Sequence, residues 1–417
     1  MRLITHLDPS QLRLGYLNCL VLVAGRHLDT RQGLVDRLSR LVFTPVQSDD
    51  PRWPRFREEI DAAALEELRP PVDERTATLH ELFRIAPDLS PSYPLHSLWL
   101  AHRSLAPHLG LLTEKNVERI IDMGRSFDFL TTGYALSEKG VFLQQMLAKV
   151  CPRARDGDPA GNPFALTCRP ALRLFYLYSL LAVDALTPYL LQAFADEQVG
   201  DTSNAPRLLA RAADQLVATV ESRSDIGTVE TVRECRQYAE RMGKRGVSKN
   251  QAQPRYYHLY ELGLLDRGPS GQPRVPYTLT PAGCRAAAAL APLRNHPENQ
   301  QELLDCHFFA WAAEIYGIAA KRCESDIRQL FYFTRGYPFL EREIGFTPGR
   351  TVALAGCLLA LEEGWLVEVA EMFSLLQRAA SGPWRPYLEY SGGSRLDQEF
   401  LIKIRPTLEA TLLAELG

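Results

Sequence analysis

A chain of 417 residues is long for one hydrophobic core, so its length predicts two to four compact units. A hydrophobic share of 46%, a charged share of 23% and a formal net charge of −3 exclude an overall polycation, so any nucleic-acid contact must come from a local patch. The eight cysteines (Cys19, Cys151, Cys168, Cys235, Cys284, Cys306, Cys323 and Cys357) form no CxxC pair, which argues against a zinc framework or a dense disulfide scaffold and predicts reduced, mostly buried thiols.

The opening "MRLITHLDPSQLRLGYLNC" has an early aspartate and no small-residue cleavage site, so no signal peptide and a cytoplasmic location are expected. Residues 1–90 read as a helical region by the spacing of Leu, Val and Ile. Connectors at 46–56, 69–75 and 86–94 punctuate it. His96, His102 and His108 recur every six residues, which does not hold one helical face, and they read as structural. Residues 91–160 contain "EKNVERIIDMGRSFDF" and then "YALSEKG" (134–140), and the loop "PRARDGDPAGNP" (152–163) follows. Residues 161–205 form a helical connector whose apolar run Leu174–Leu191 is interrupted by Asp184 and Pro188. It reads as buried helices and not as a membrane span. Only seven of the 47 basic residues are lysine, a bias that fits a GC-rich bacterial genome.

Residues 206–295 carry the most informative pattern. "GVSKNQAQPRYYHLYELGLLDR" (246–267) has the apolar spacing of a helix-turn-helix, with Val247, Ala252, Tyr256, Leu259 and Leu262 on the packed side. Gly263 stands where the helix must stop in a left-handed conformation. Gly268, Pro269 and Gly271 supply a turn, Tyr277–Leu279 a return strand, and Thr280-Pro281 a cap and first position for the next helix.

"YTLTPAG" (277–283) and "YALSEKG" (134–140) share Tyr-x-Leu-Ser/Thr-x-x-Gly, each preceded by a helix expected to end in glycine, at Met123-Gly124 and Leu262-Gly263. The Gly-to-Tyr intervals are ten and fourteen residues, which predicts a shorter first hairpin. This arrangement resembles the winged-helix domains of the MarR-like and PadR-like transcription regulators, over about residues 206–292. Pro254 departs from the pattern, so the recognition helix is expected to start late, with Pro254 in its first turn. After a helical connector (296–345), a third candidate at 346–417 comprises "RTVALAGCLLALEEGWLVEV" (350–369) and a hairpin at 386–404, without the Tyr-x-Leu-Thr signature. The fold expected is mainly α: tandem winged helix-turn-helix domains with small β-hairpin wings in an α-helical scaffold.

The resemblance implies duplex DNA as a partner, bound by a recognition helix in the major groove and a wing along the backbone. Arg241–Tyr260 holds five basic residues (Arg241, Lys244, Arg245, Lys249 and Arg255) and no acid. Asn250, Gln251 and Gln253 are side-chain types that bond adenine edges or phosphates, and Arg267 and Arg274 flank the wing. In the first copy Glu114, Glu118 and Asp122 alternate with Lys115, Arg119 and Arg125, a balance better suited to a protein surface.

Catalytic signatures fail. G-x4-G-K-[ST], G-x-S-x-G and H-E-x-x-H are absent, and none of the seven lysines has an acid two positions before it, as a Glu-x-Lys nuclease centre requires. Asp397, Glu399 and Lys403 read as an ordinary mixed surface. The expectation is a non-catalytic DNA-binding subunit of a bacterial DNA-handling or phage-defence complex, or a transcription regulator, with no cofactor and no membrane contact. A protein partner or homodimer is expected. The alternative is a protein–protein adaptor of the kleisin kind, bridging an ATPase or nuclease.

Overall fold

A computed structural model describes residues 1–7, 14–43, 114–150, 170–197, 200–201, 205–223, 229–267, 276–340, 346–379, 382–392 and 400–416. The connectors at 46–56, 69–75, 86–94 and 152–163, the three spaced histidines, Cys151 and Cys168, the hairpin tip with Arg274, and Asp397 with Glu399 lie outside the described residues. The described chain is mostly helical, with few short strands.

Helix α5 (Pro170–Val183) is the axis of the molecule. Twelve of its fourteen residues are buried, as expected of a helix apolar on every side. It breaks at Asp184 into α6 (Leu186–Glu197), bent by 103°. Pro188 lies in the first turn of α6. It lacks the N–H that would continue the ladder onto Asp184, whose carbonyl takes the Thr187 N–H instead. No single described helix is long and apolar enough to cross a membrane.

Before this axis, α1 (Gly15–Val23), α2 (Arg31–Phe43), α3 (Glu114–Ser126) and α4 (Glu138–Val150) pack together, so the packed group extends across residue 90. A methyl group added at Gly124 would lie 2.2 Å from Leu20 Cδ2, so this glycine lets α3 cross close over α1. It does not end the helix, which continues to Ser126.

After the axis come β1 (Gly200–Asp201), α7 (Ala205–Ser222), α8 (Val229–Met242), α9 (Arg245–Glu261), β2 (Leu265–Arg267), β3 (Pro276–Leu279) and α10 (Pro281–Ala289). The order β1-β3-β2 is antiparallel, with Leu265 opposite Leu279 and Gly200 opposite Tyr277. Tyr277 and Tyr256 meet edge to face at 5.3 Å, and Phe194 of α6 completes the stack on Tyr256 at 4.8 Å. Helix α9 does not start late. It runs unbroken through Pro254, because packing on both flanks outweighs the ladder bond that Asn250 loses.

The last group holds α11 (Ala291–Asn295), α12 (Gln300–Tyr316), β4 (Lys321–Arg322), α13 (Asp326–Gly336), β5 (Thr347–Pro348), α14 (Gly349–Glu362), β6 (Trp365–Leu366), α15 (Val369–Ala379), β7 (Leu388–Gly392), β8 (Phe400–Ile404) and α16 (Thr407–Leu416). Gly364 stops the turn after α14 at φ +80°, and the 386–404 hairpin forms as β7–β8. The strand after Gly364 does not join that hairpin: β6 pairs in parallel with β4, while β8 pairs with β5. The hairpin is joined to its helix through β5, which pairs with β8 and leads directly into α14, and not through the strand that follows Gly364.

Candidate nucleic-acid interface

The two Tyr-x-Leu-Ser/Thr-x-x-Gly stretches build the same local unit. After α3, Asp128 takes φ +60° and Phe129 N–H bonds the Gly124 carbonyl at 2.8 Å. After α9, Gly263 takes φ +71° and Leu264 N–H bonds the Leu259 carbonyl at 2.9 Å. Both are left-handed helix stops with a long closing bond. Leu130 then bridges Leu136, as Leu265 bridges Leu279. Ser137 N–H bonds Phe129 O at 3.0 Å and Thr280 N–H bonds Leu264 O at 3.1 Å. Each hydroxyl donates back to the carbonyl of the left-handed residue, Asp128 or Gly263, and caps the next helix by accepting from Gly140 or Gly283 N–H. A methyl group at Gly140 would lie 2.2 Å from Phe129 O, and one at Gly283 1.9 Å from Leu264 O. The final glycine is required by close approach of the backbone. The position equivalent to Gly263 is thus Asp128 and not Gly124.

The helix-turn-helix of the second unit is α8, the turn Gly243-Lys244, and α9. Lys244 takes the N-cap conformation of α9, at φ −81° and ψ 115°. Arg241, Lys244, Asn250 and Gln253 are exposed. The side chains of Arg245, Lys249 and Arg267 lie outside the described residues, as does Arg274 altogether.

Gln251 and Arg255 are corrections to the expected set. Both are only 2% exposed, on a stripe of α9 continued by His258. The stripe packs against residues 1–7 and the first group of helices, with His258 edge-on to Phe127 at 6.0 Å. The Gln251 amide accepts from Leu7 N–H at 2.8 Å and donates to Leu7 O at 2.5 Å, pairing with the backbone as a neighbouring strand would. The Arg255 guanidinium donates to Asp184 Oδ2 at 3.1 Å, Ile4 O at 2.6 Å and Gln251 O at 3.1 Å. Burial works against the Arg255 charge. Asp184 and Tyr238 more than offset it and hold the guanidinium above its ordinary value. A buried charge needs a partner, and Asp184 at 0% exposure supplies it.

In the sequence Asp184 stands out only as an interruption of an apolar run. The interruption itself was the available signal, since a lone acid among buried leucines requires a buried cation. Glu368 gave no such signal. It is 2% exposed and accepts N–H bonds from Phe309 and Ala310 at 3.0 and 2.7 Å, fastening the start of α15 to α12. Burial pushes its carboxyl up to about 7, against those two bonds. In α3, Asp122 and Glu118 face Arg31 of α2 at 2.9 and 3.9 Å, so the mixed charge of that helix holds its own group together. Among the described cysteines, Cys235, Cys323 and Cys357 are buried free thiols, while Cys284 is exposed.

No protein-family model, curated protein or solved structure matches this chain.

Proposed function

We propose that the chain is a winged-helix DNA-binding protein without catalysis of its own, an accessory subunit of a bacterial DNA-handling or phage-defence complex or a transcription regulator. The carrying observation is the order α7-α8-α9-β2-β3-α10. A two-residue turn joins α8 to α9, and Arg241, Lys244, Asn250 and Gln253 are exposed around the acid-free start of α9. In this reading the first two turns of α9 meet the phosphate backbone, and the β2–β3 hairpin is the wing. The test is fluorescence anisotropy of the full chain with a mixed-sequence duplex over a salt series. Replacing Lys244, Arg245 and Lys249 together by Ala is expected to weaken binding and to flatten the log–log salt slope by about three units. Unchanged binding would place the DNA surface elsewhere.

One observation favours a second reading, the protein–protein adaptor. The stripe of α9 formed by Gln251, Arg255 and His258 is already packed on protein. Absence of salt-dependent binding by the full chain would turn the choice to that reading. Two half-chains cut near residue 200 are the wrong reagents, because Gln251 and Arg255 would lose their partners on Ile4 and Leu7.

A further inference from the structure

Residues 1–7 form neither helix nor strand and lie along the α9 stripe, and three donors of the DNA-contacting set expected from the sequence end on their backbone. Arg241 reaches Thr5 O at 3.4 Å, Arg255 reaches Ile4 O at 2.6 Å, and Gln251 reaches Leu7 O at 2.5 Å. The segment is anchored at its other end, where Arg2 N–H donates to Gln300 Oε1 at 2.9 Å, Arg2 O accepts from Ala185 N–H at 2.8 Å, and the Arg2 guanidinium pairs with Asp128. Ile4 and Leu7 are 4% and 1% exposed.

We propose that residues 1–7 are an intramolecular cover of α9, competing with duplex DNA for Arg241, Gln251 and Arg255. The proposal rests on the DNA-binding reading and adds regulation to it. The carbonyls of Ile4, Thr5 and Leu7 are acceptors of the kind that phosphate and base edges would present to the same donors. Burial of Ile4 and Leu7 favours the closed state by on the order of 10²–10⁴-fold, so DNA contact is held to the exposed first turns of α9 until the cover leaves. When it leaves, Arg241 gains a phosphate. Arg255 gains hydrogen-bond acceptors but no new charge effect, because Asp184 still neutralises it.

The test compares the full chain with a deletion of residues 2–7 and with the full-length double variant I4D/L7D, using the same duplex and salt series. Two aspartates are incompatible with the buried Ile4 and Leu7 sites, so the double variant opens the cover without shortening the chain. Both variants should bind about tenfold tighter at low salt. Their log–log slope should steepen by about one unit, from Arg241 alone. Gln251→Ala in the deleted chain should remove part of the gain. If the full chain fails to bind while both variants bind, the cover stands and the exposed-turn reading falls. If the full chain binds through Lys244, Arg245 and Lys249 but neither variant binds tighter, the DNA reading stands and the cover is overturned. Should the deleted chain not fold, I4D/L7D decides alone: unchanged affinity, with α9 amides exchanging faster with solvent, overturns the proposal. Failure of all three chains to bind overturns both ideas.

Discussion

The hairpin after α3 and the hairpin after α9 share a base and differ at the tyrosine above it. At the base, both have a left-handed helix stop, a leucine bridge, a hydroxyl cap and a glycine against a carbonyl. Above it they diverge. In the first, Tyr134 is itself in a tight turn at φ +58°, with Thr131 N–H bonded to Ala135 O, and its ring lies under Arg125 at 5.4 Å. In the second, Tyr277 is in a strand opposite both Arg267 and Gly200, 2% exposed, and edge to face with Tyr256. The same motif letters thus fix the base of a hairpin and leave its length to the residues between. The tyrosine serves as a turn residue in one copy and as a core residue in the other.

The largest expected effect sharpens this contrast. Tyr277→Ala should destabilise the protein by about 3–5 kcal/mol, as loss of a buried aromatic does. Tyr134→Ala should cost less, about 1–2 kcal/mol, because its ring is only half-buried at the edge of the core. Urea titrations of the two variants measure the difference, and equal costs would break the distinction between the two tyrosines.

A smaller effect tests the sameness of the bases. Gly140→Ala and Gly283→Ala each drive a methyl group into a backbone carbonyl, and each should cost about 1–3 kcal/mol. One glycine tolerating alanine while the other does not would show that the units only look alike. Smallest are the caps: Ser137→Ala and Thr280→Ala should each cost about 1 kcal/mol, read from the same titrations. A Thr280 loss well above the Ser137 loss would be assigned to the threonine γ-methyl, since both hydroxyls make the same pair of bonds.

The sequence determined, by itself, whatever depends on neighbours a few residues away. Gly263 and Gly364 require left-handed backbone, Thr280-Pro281 is a helix start whatever surrounds it, and the repeated heptapeptide carries its own hydrogen-bond pattern. The mainly helical character and the β7–β8 hairpin follow from spacing and turn chemistry in the same way. The tertiary structure decided what depends on distant partners. Pro254 is carried inside a continuous helix because tertiary burial outweighs one missing bond. The strand after Gly364 found β4 in place of the hairpin, and Gly124 is small because Leu20 crosses it. Gln251 has the chemistry to bond an adenine edge and Arg255 adds basic charge beside it, but their capacity to donate binds Leu7 and Ile4 across more than 240 positions of chain. A side chain's donors are written in its letter; which acceptor they meet is settled only when the fold brings one within 3 Å and removes the water that would otherwise take its place.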